Sequence, residues 1–226
     1  MTAALDAILG HPAVWRGSQR AQIAGDVVPS GFAALDDVLP GGGWPCGALT
    51  EILPERAGIG ELGLLMPALA QLSRQSGWQA WVAPRHVPYA PALAAAGIAL
   101  ARVLVVRPQT SGDAWWAAEQ ALRSGACCAV LAWLAAPDER RMRRLQLAAE
   151  TGRSWCVLFR PARDVGQRSP AALRLYLEPA GDSLAVHVLK RRGGPVNRPL
   201  YLHLAGDGFQ GSSSLRRAGA PLEKTA

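Results

Sequence analysis

Thr50-Glu51-Ile52-Leu53-Pro54-Glu55-Arg56-Ala57-Gly58-Ile59-Gly60-Glu61-Leu62 reads as a buried strand, a glycine-containing turn and the start of an apolar segment reaching Leu72. Strand, glycine turn and helix in that order form the setting in which a phosphate-binding loop grips a nucleotide. Backbone N–H groups cradle the phosphates there, a lysine reaches the outer ones, and a Ser or Thr hydroxyl holds magnesium. The setting is present and the chemistry is not. No Lys, Ser or Thr lies between Glu51 and Leu72, and glutamate occupies the place where phosphate charge would arrive. By themselves, Pro54, Glu55, Arg56, Ala57, Gly58, Ile59, Gly60 and Glu61 are open to two readings, an ordinary connection or a degenerate P-loop.

Outward from this stretch the pattern alternates. Apolar runs at residues 48–53, 79–83, 103–106, 129–134 and 155–159 are strand candidates, and 61–76, 89–96, 113–124 and 138–151 between them are helix candidates. Strands without polar alternation, separated by helices, predict a parallel sheet covered on both faces. Pro67 either kinks the first of these helices or marks where its regular part begins. The runs 173–178, 184–190 and 200–204 follow each other through short turns and predict antiparallel strands along one edge. A short helix over 2–9 and a polar arm precede the core, and a Gly/Ser-rich basic tail follows it. The expected division is an N-terminal helix and arm (1–25), a core (26–205) and a tail (206–226).

Half of the 226 residues are hydrophobic and 18% are charged, which supplies a full core and argues against disorder. No apolar run approaches membrane-spanning length and no signal pattern opens the chain, so a cytoplasmic protein without membrane association is expected. The four cysteines show no C-x-x-C spacing, so no metal or redox role is expected of them, and no cofactor is expected either. A net charge of +7 points to an anionic partner, although arginine-rich usage also follows from genome composition.

Beyond composition, the segments Val28-Pro29-Ser30-Gly31-Phe32-Ala33-Ala34-Leu35-Asp36 and Pro40-Gly41-Gly42-Gly43 through Ile52 resemble the opening of the RecA recombinase core. His11-Pro12-Ala13-Val14-Trp15-Arg16-Gly17, the stretch Pro88 to Gly97 and Leu189-Lys190-Arg191-Arg192-Gly193-Gly194-Pro195 are similar to the ImuA family, RecA relatives of bacterial mutagenesis cassettes. The resemblance implies an α/β fold with a RecA-like three-layer αβα core, mainly parallel, with antiparallel C-terminal strands and a short N-terminal helical arm.

It also implies that hydrolysis has been lost. The P-loop lysine and threonine fall near Ile59, Gly60 and Glu61. The water-activating glutamate corresponds to about Arg85, the magnesium-associated aspartate to about Trp133, and the switch glutamine to about Arg160. Without positioned cations and a placed water no ATPase can be assembled, so the chain is expected to be no enzyme. The implied role is an accessory protein of damage-induced translesion synthesis. Its partner would be an ImuB-type, Y-family polymerase-like protein, with an error-prone replicative-type polymerase behind it and RecA or DNA as further partners. Two alternatives stand beside it: a SulA-like cell-division inhibitor that sequesters FtsZ, and a nucleotide-binding RecA-type ATPase.

The remaining candidates are surface groups. Arg140, Arg141, Arg143 and Arg144 face outward on a helix whose buried stripe is Met142, Leu145 and Ala149. Arg160, Arg163 and Arg168 sit on one loop, and Lys190, Arg191 and Arg192 end a strand. All ten are candidate contacts to DNA or an acidic partner. Each group also reads as a solvated face. Candidate partner contacts are Leu5, Ile8, Leu9, Trp15, Arg16 and Trp116, while Trp115 is expected in the core.

Overall fold

The computed structural model describes residues 26–75, 77–194 and 196–204. The expected N-terminal helix and arm, with Leu5, Ile8, Leu9, Trp15 and Arg16, and the expected tail lie outside the described residues.

Five strands arise where the uninterrupted apolar runs predict them: β3 (Leu49–Pro54), β4 (Trp78–Val82), β5 (Val103–Val106), β6 (Cys127–Ala132) and β7 (Trp155–Phe159). With β8 (Leu173–Ala180), β9 (Ser183–Lys190) and β10 (Leu200–Leu202) they form one eight-stranded sheet in the order β10-β9-β8-β3-β7-β6-β4-β5. The expected antiparallel block is corrected at β8. That strand pairs parallel with β3, from Thr50 beside Leu173 to Pro54 beside Leu177, and only β9 and β10 turn antiparallel. A second, two-stranded sheet pairs β1 (Val27–Val28) with β2 (Trp44–Pro45), strands too short for any periodicity to announce.

Helices cover both faces. On one side, α1 (Ala33–Asp36), α2 (Met66–Ser73) and α3 (Ala90–Ala95) join a core holding Leu35, Leu69, Trp81, Leu93 and Trp155. On the other, α4 (Ser111–Arg123) and α5 (Glu139–Gly152) press Trp115, Leu122, Met142 and Leu145 onto Leu49, Val130 and Cys156. Because β3, β4, β6 and β7 are buried on both faces, their sequences carry little polar alternation, whereas β5, at the sheet edge, leaves Leu104 and Val105 exposed.

α2 is eight residues long, shorter than the stretch expected from residue 61, and Pro67 lies in its first turn. Proline is tolerated there because the first helical N–H groups have no intrahelical acceptor. Asp138 caps α5 by accepting a hydrogen bond from the Arg141 N–H at 2.7 Å, the usual remedy for unpaired first-turn donors. Among the described residues no helix is long and apolar enough to cross a membrane.

Candidate functional site

The turn after β3 carries positive φ at Gly58 (81°) and Gly60 (104°), values that residues with a Cβ rarely adopt. So folded, the turn offers its backbone donors to its own side chain. The Gly58 N–H donates to both carboxylate oxygens of Glu61, at 2.9 and 3.1 Å, and the Ile59 N–H donates at 3.0 Å. A carboxylate thus occupies the position at which backbone N–H groups of such a turn would hold a phosphate. The place is plugged from within.

Beneath the turn a second acid organises the end of the sheet. Glu51, fully buried in β3, accepts from Arg160 Nη1 at 3.1 Å, Arg174 Nε at 2.6 Å and Ser169 Oγ at 2.6 Å. Arg160 also reaches Asp164 at 3.0 Å and donates to Gln167 Oε1 at 2.6 Å, and Arg174 donates to the Asp164 carbonyl at 3.0 Å. Two carboxylates and two guanidiniums make a neutral buried cluster whose hydrogen bonds are largely satisfied, the condition under which buried charge is tolerable. It fastens the connection from β7 to β8, including the short helix Ala162–Asp164, against β3.

Over these two acids, at the carboxyl ends of β3, β4, β6 and β7, lies a cleft with two lobes of about 250 and 480 Å³. Ligands of open α/β sheets gather at such an edge. Both lobes are lined by Arg85, Trp133, Phe159, Pro161 and Arg163, and the smaller one also by Arg56 and Glu55. Trp133 is half-buried, stacked on Phe159 with centroids 4.4 Å apart and planes 7° from parallel. Arg56, Arg85 and Arg163 are exposed and, among the described residues, take part in no ion pair. Ala83 (φ 52°) and Ala136 (φ 47°), both in the wall of the larger lobe, hold left-handed backbone unusual for alanine.

The sequence-derived candidates divide accordingly. Arg85, Trp133 and Arg163 meet in the cleft beside the glycine turn, and Arg160 borders its smaller lobe with its guanidinium turned into the buried ion pairs. At 2% exposure it belongs to the Glu51 cluster, with nothing left to offer a surface partner. Arg141 pairs with Asp138 at 3.3 Å and lies 5.6 Å from the Trp115 ring, Arg143 pairs with Glu139 at 2.6 Å, and Arg144 ties α5 to Glu119 of α4 at 2.6 Å. Arg140 faces solvent from the same helix.

Arg168 and Lys190 flank a separate groove with Arg143, where Lys190 Nζ donates to the Ser169 carbonyl at 2.8 Å. Desolvation and the neighbouring Arg174 lower the pKa of Lys190 below the usual lysine value. Arg191 is a tether, donating to the carbonyls of Val38 and, at 3.0 Å, Gly194. Arg192 lines a pocket at the opposite, amino end of β3, beside Cys46 and Gln146. Trp115 is buried, with its indole N–H on the Ala135 carbonyl at 3.0 Å, whereas Trp116 is 63% exposed.

Cys127 and Cys156 are core residues, and Cys46 and Cys128 are partly buried against the core. Burial pushes the Cys156 thiol up to about 12 and, together with Asp26, the Cys46 thiol up to about 11. Among the described residues no cluster of three or more His, Cys, Asp or Glu side chains is placed to hold a metal.

Residues 47–156, from the approach to β3 into β7, match the family model described as cell division inhibitor SulA. The cell division inhibitor SulA of Edwardsiella piscicida is 38% identical over 119 residues, which span 48% of this chain and 71% of that protein. The chain belongs to the SulA family. The SulA of Yersinia pestis (strain Pestoides F) is 34% identical over 115 residues, 50% of this chain and 68% of its own length. A crystal structure of SulA from Pseudomonas aeruginosa superposes with a TM-score of 0.43 and 26% identity, over 50% of this chain and 97% of that one.

Membership in the SulA family overturns the expected role in translesion synthesis. The matching relatives are division inhibitors, so the ImuB-type polymerase-like partner, the error-prone polymerase behind it, and RecA or DNA as further partners are withdrawn. The motifs that resemble a RecA-type core misled because glycine turns and apolar strands report a scaffold, and a scaffold does not fix a function.

Reading by residue type missed the Glu51 cluster altogether. A usable signal was present: Glu51 interrupts an otherwise apolar strand, and Arg174 stands between Leu173 and Leu175. Charges at buried strand positions demand partners.

Proposed function

We propose that this chain is a cell division inhibitor of the SulA type, acting without catalysis by binding the division protein FtsZ and withholding it from assembly. The observation that carries the reading is the 38% identity to a SulA across 119 residues. The Glu61 carboxylate in the phosphate seat and the lack of any Lys, Ser or Thr from Ile52 to Gln71 support action by binding rather than by nucleotide turnover. In this proposal residues 26–205 form the binding body, with an arm before it and a basic tail after it.

The test is sedimentation of FtsZ with GTP in the presence of the purified full chain, paired with microscopy of cells overexpressing it. Equimolar chain is expected to leave most FtsZ in the supernatant, and the cells to grow as filaments without septa. Undiminished FtsZ pellets together with normally dividing cells would remove the proposal.

A further inference from the structure

The cleft at the carboxyl end of the sheet has an unusual composition for a surface that does nothing. Its cations come from separate connections: Arg56 after β3, Arg85 after β4 and Arg163 after β7. Only the fold brings them to one place. Between them the half-buried ring of Trp133, backed by Phe159, gives the floor an aromatic surface. Guanidiniums left without carboxylate partners beside an aromatic surface match a ligand with carboxylates around a flat apolar group.

We propose that this cleft is the docking site for an acidic peptide segment of a partner protein, a segment carrying one aromatic side chain among its carboxylates. The proposal deepens the division-inhibitor reading and rests on it for the partner being a protein. Carboxylates of the segment pair with Arg85 and Arg163 across the larger lobe, and Arg56 receives another at the smaller one. The aromatic side chain packs against Trp133.

Phosphate-bearing ligands fit less well. The backbone donors that would cradle a phosphate are spent on Glu61. A nucleic acid would also call for a longer track of cations with successive stacking rings, whereas this cleft offers three unpaired arginines around one half-buried ring.

The walls are held in place before any ligand arrives. The connection bearing Arg163 is fastened by the Arg160–Asp164 and Arg160–Glu51 pairs, and Trp133 is held by its backbone N–H on the Val82 carbonyl at 3.1 Å and by its ring stacked on Phe159. The strained Ala83 and Ala136 flank the same lobe. Preorganisation of this kind lowers the entropy lost on binding.

The probe is a fluorescein-labelled heptapeptide, Asp-Glu-Asp-Phe-Glu-Asp-Glu, titrated with the full chain and followed by anisotropy at two salt concentrations. Saturable binding that weakens with salt is expected, since exposed charges are screened. The R85E/R163E variant should bind at least about tenfold more weakly, two rim charges having been turned from attraction to repulsion. Replacing the peptide's Phe by Gly should cost about threefold or more through the lost aromatic contact. Both substituted arginines are exposed and unpaired, so the variant's circular dichroism and unfolding midpoint should match wild type.

Absent peptide binding, equal binding by R85E/R163E, or tighter arginine-dependent binding of oligothymidylate would each overturn the proposal. FtsZ sedimentation separates the two readings. If the chain blocks FtsZ assembly and R85E/R163E blocks it equally well, the cleft assignment falls and the division reading stands. If the chain leaves FtsZ untouched yet binds the peptide through Arg85 and Arg163, the division reading falls and the peptide site stands.

Discussion

Two groups of arginines lie within the same end of this sheet and have opposite fates. Arg160 and Arg174 are sealed around Glu51, each neutralised and hydrogen-bonded, and they act as fasteners. Arg56, Arg85 and Arg163 stand around the cleft with no carboxylate to hold them. The difference is set by the geometry of the acids, since the guanidinium is the same in both. Glu51 points into the sheet and captures two cations from β7 and β8. Glu61, on the turn above, is taken up by backbone N–H groups and leaves its neighbouring cations unpaired.

The comparison breaks most visibly at Glu51. Glu51→Gln would leave two buried guanidiniums facing a neutral amide, and losing one partner of a buried pair costs about 3–5 kcal/mol. Urea unfolding should show this as a large drop in midpoint. A change below about 1 kcal/mol would mean that the cluster does not fasten the β7–β8 connection, since surface-like charges move stability by no more than that.

A smaller effect is expected at Glu61. Glu61→Ala uncovers the Gly58 and Ile59 amides, which water can partly reach, at a cost of about 1 kcal/mol. Hydrogen exchange at those two amides should accelerate, and ATP hydrolysis should stay at the buffer blank because no lysine stands nearby. Appearance of turnover would show that the plug alone had suppressed an ATPase.

The smallest effect sits at the rim of the closed cluster. Burial and Arg174 lower the Lys190 pKa in the folded chain, so in the window just below 10.5 the unfolded chain binds more protons. Wild type should therefore gain stability relative to Lys190→Gln as pH rises through that window. Paired unfolding curves at a neutral and an alkaline pH would read this difference, and a loss with rising pH would contradict the placement of Lys190 beside Arg174.

Much of the scaffold was legible because its signals are local. Apolar runs without alternation announced β3 to β7 and a sheet covered on both faces, and α5 could be read from its buried stripe of Met142, Leu145 and Ala149. The direction of β8 was not legible. Short apolar runs joined by turns suit either sense of pairing, and only the register of Thr50 with Leu173 makes that strand parallel. The ImuA-type role was likewise misplaced, and the SulA-like alternative is the one the relatives support, because a resemblance carried largely by glycines and turns describes the backbone rather than the partner.

By itself the sequence determined most of the elements, the lack of any Lys, Ser or Thr from Ile52 to Gln71, and an excess of arginine. Those properties depend on residues near one another along the chain or on simple counts. The tertiary structure decided which arginines are fasteners and which are free, because a charge is neutralised by whatever the fold places within a few ångströms of it. Glu51 and Arg174 stand 123 positions apart and meet at 2.6 Å, a contact that no window of sequence contains.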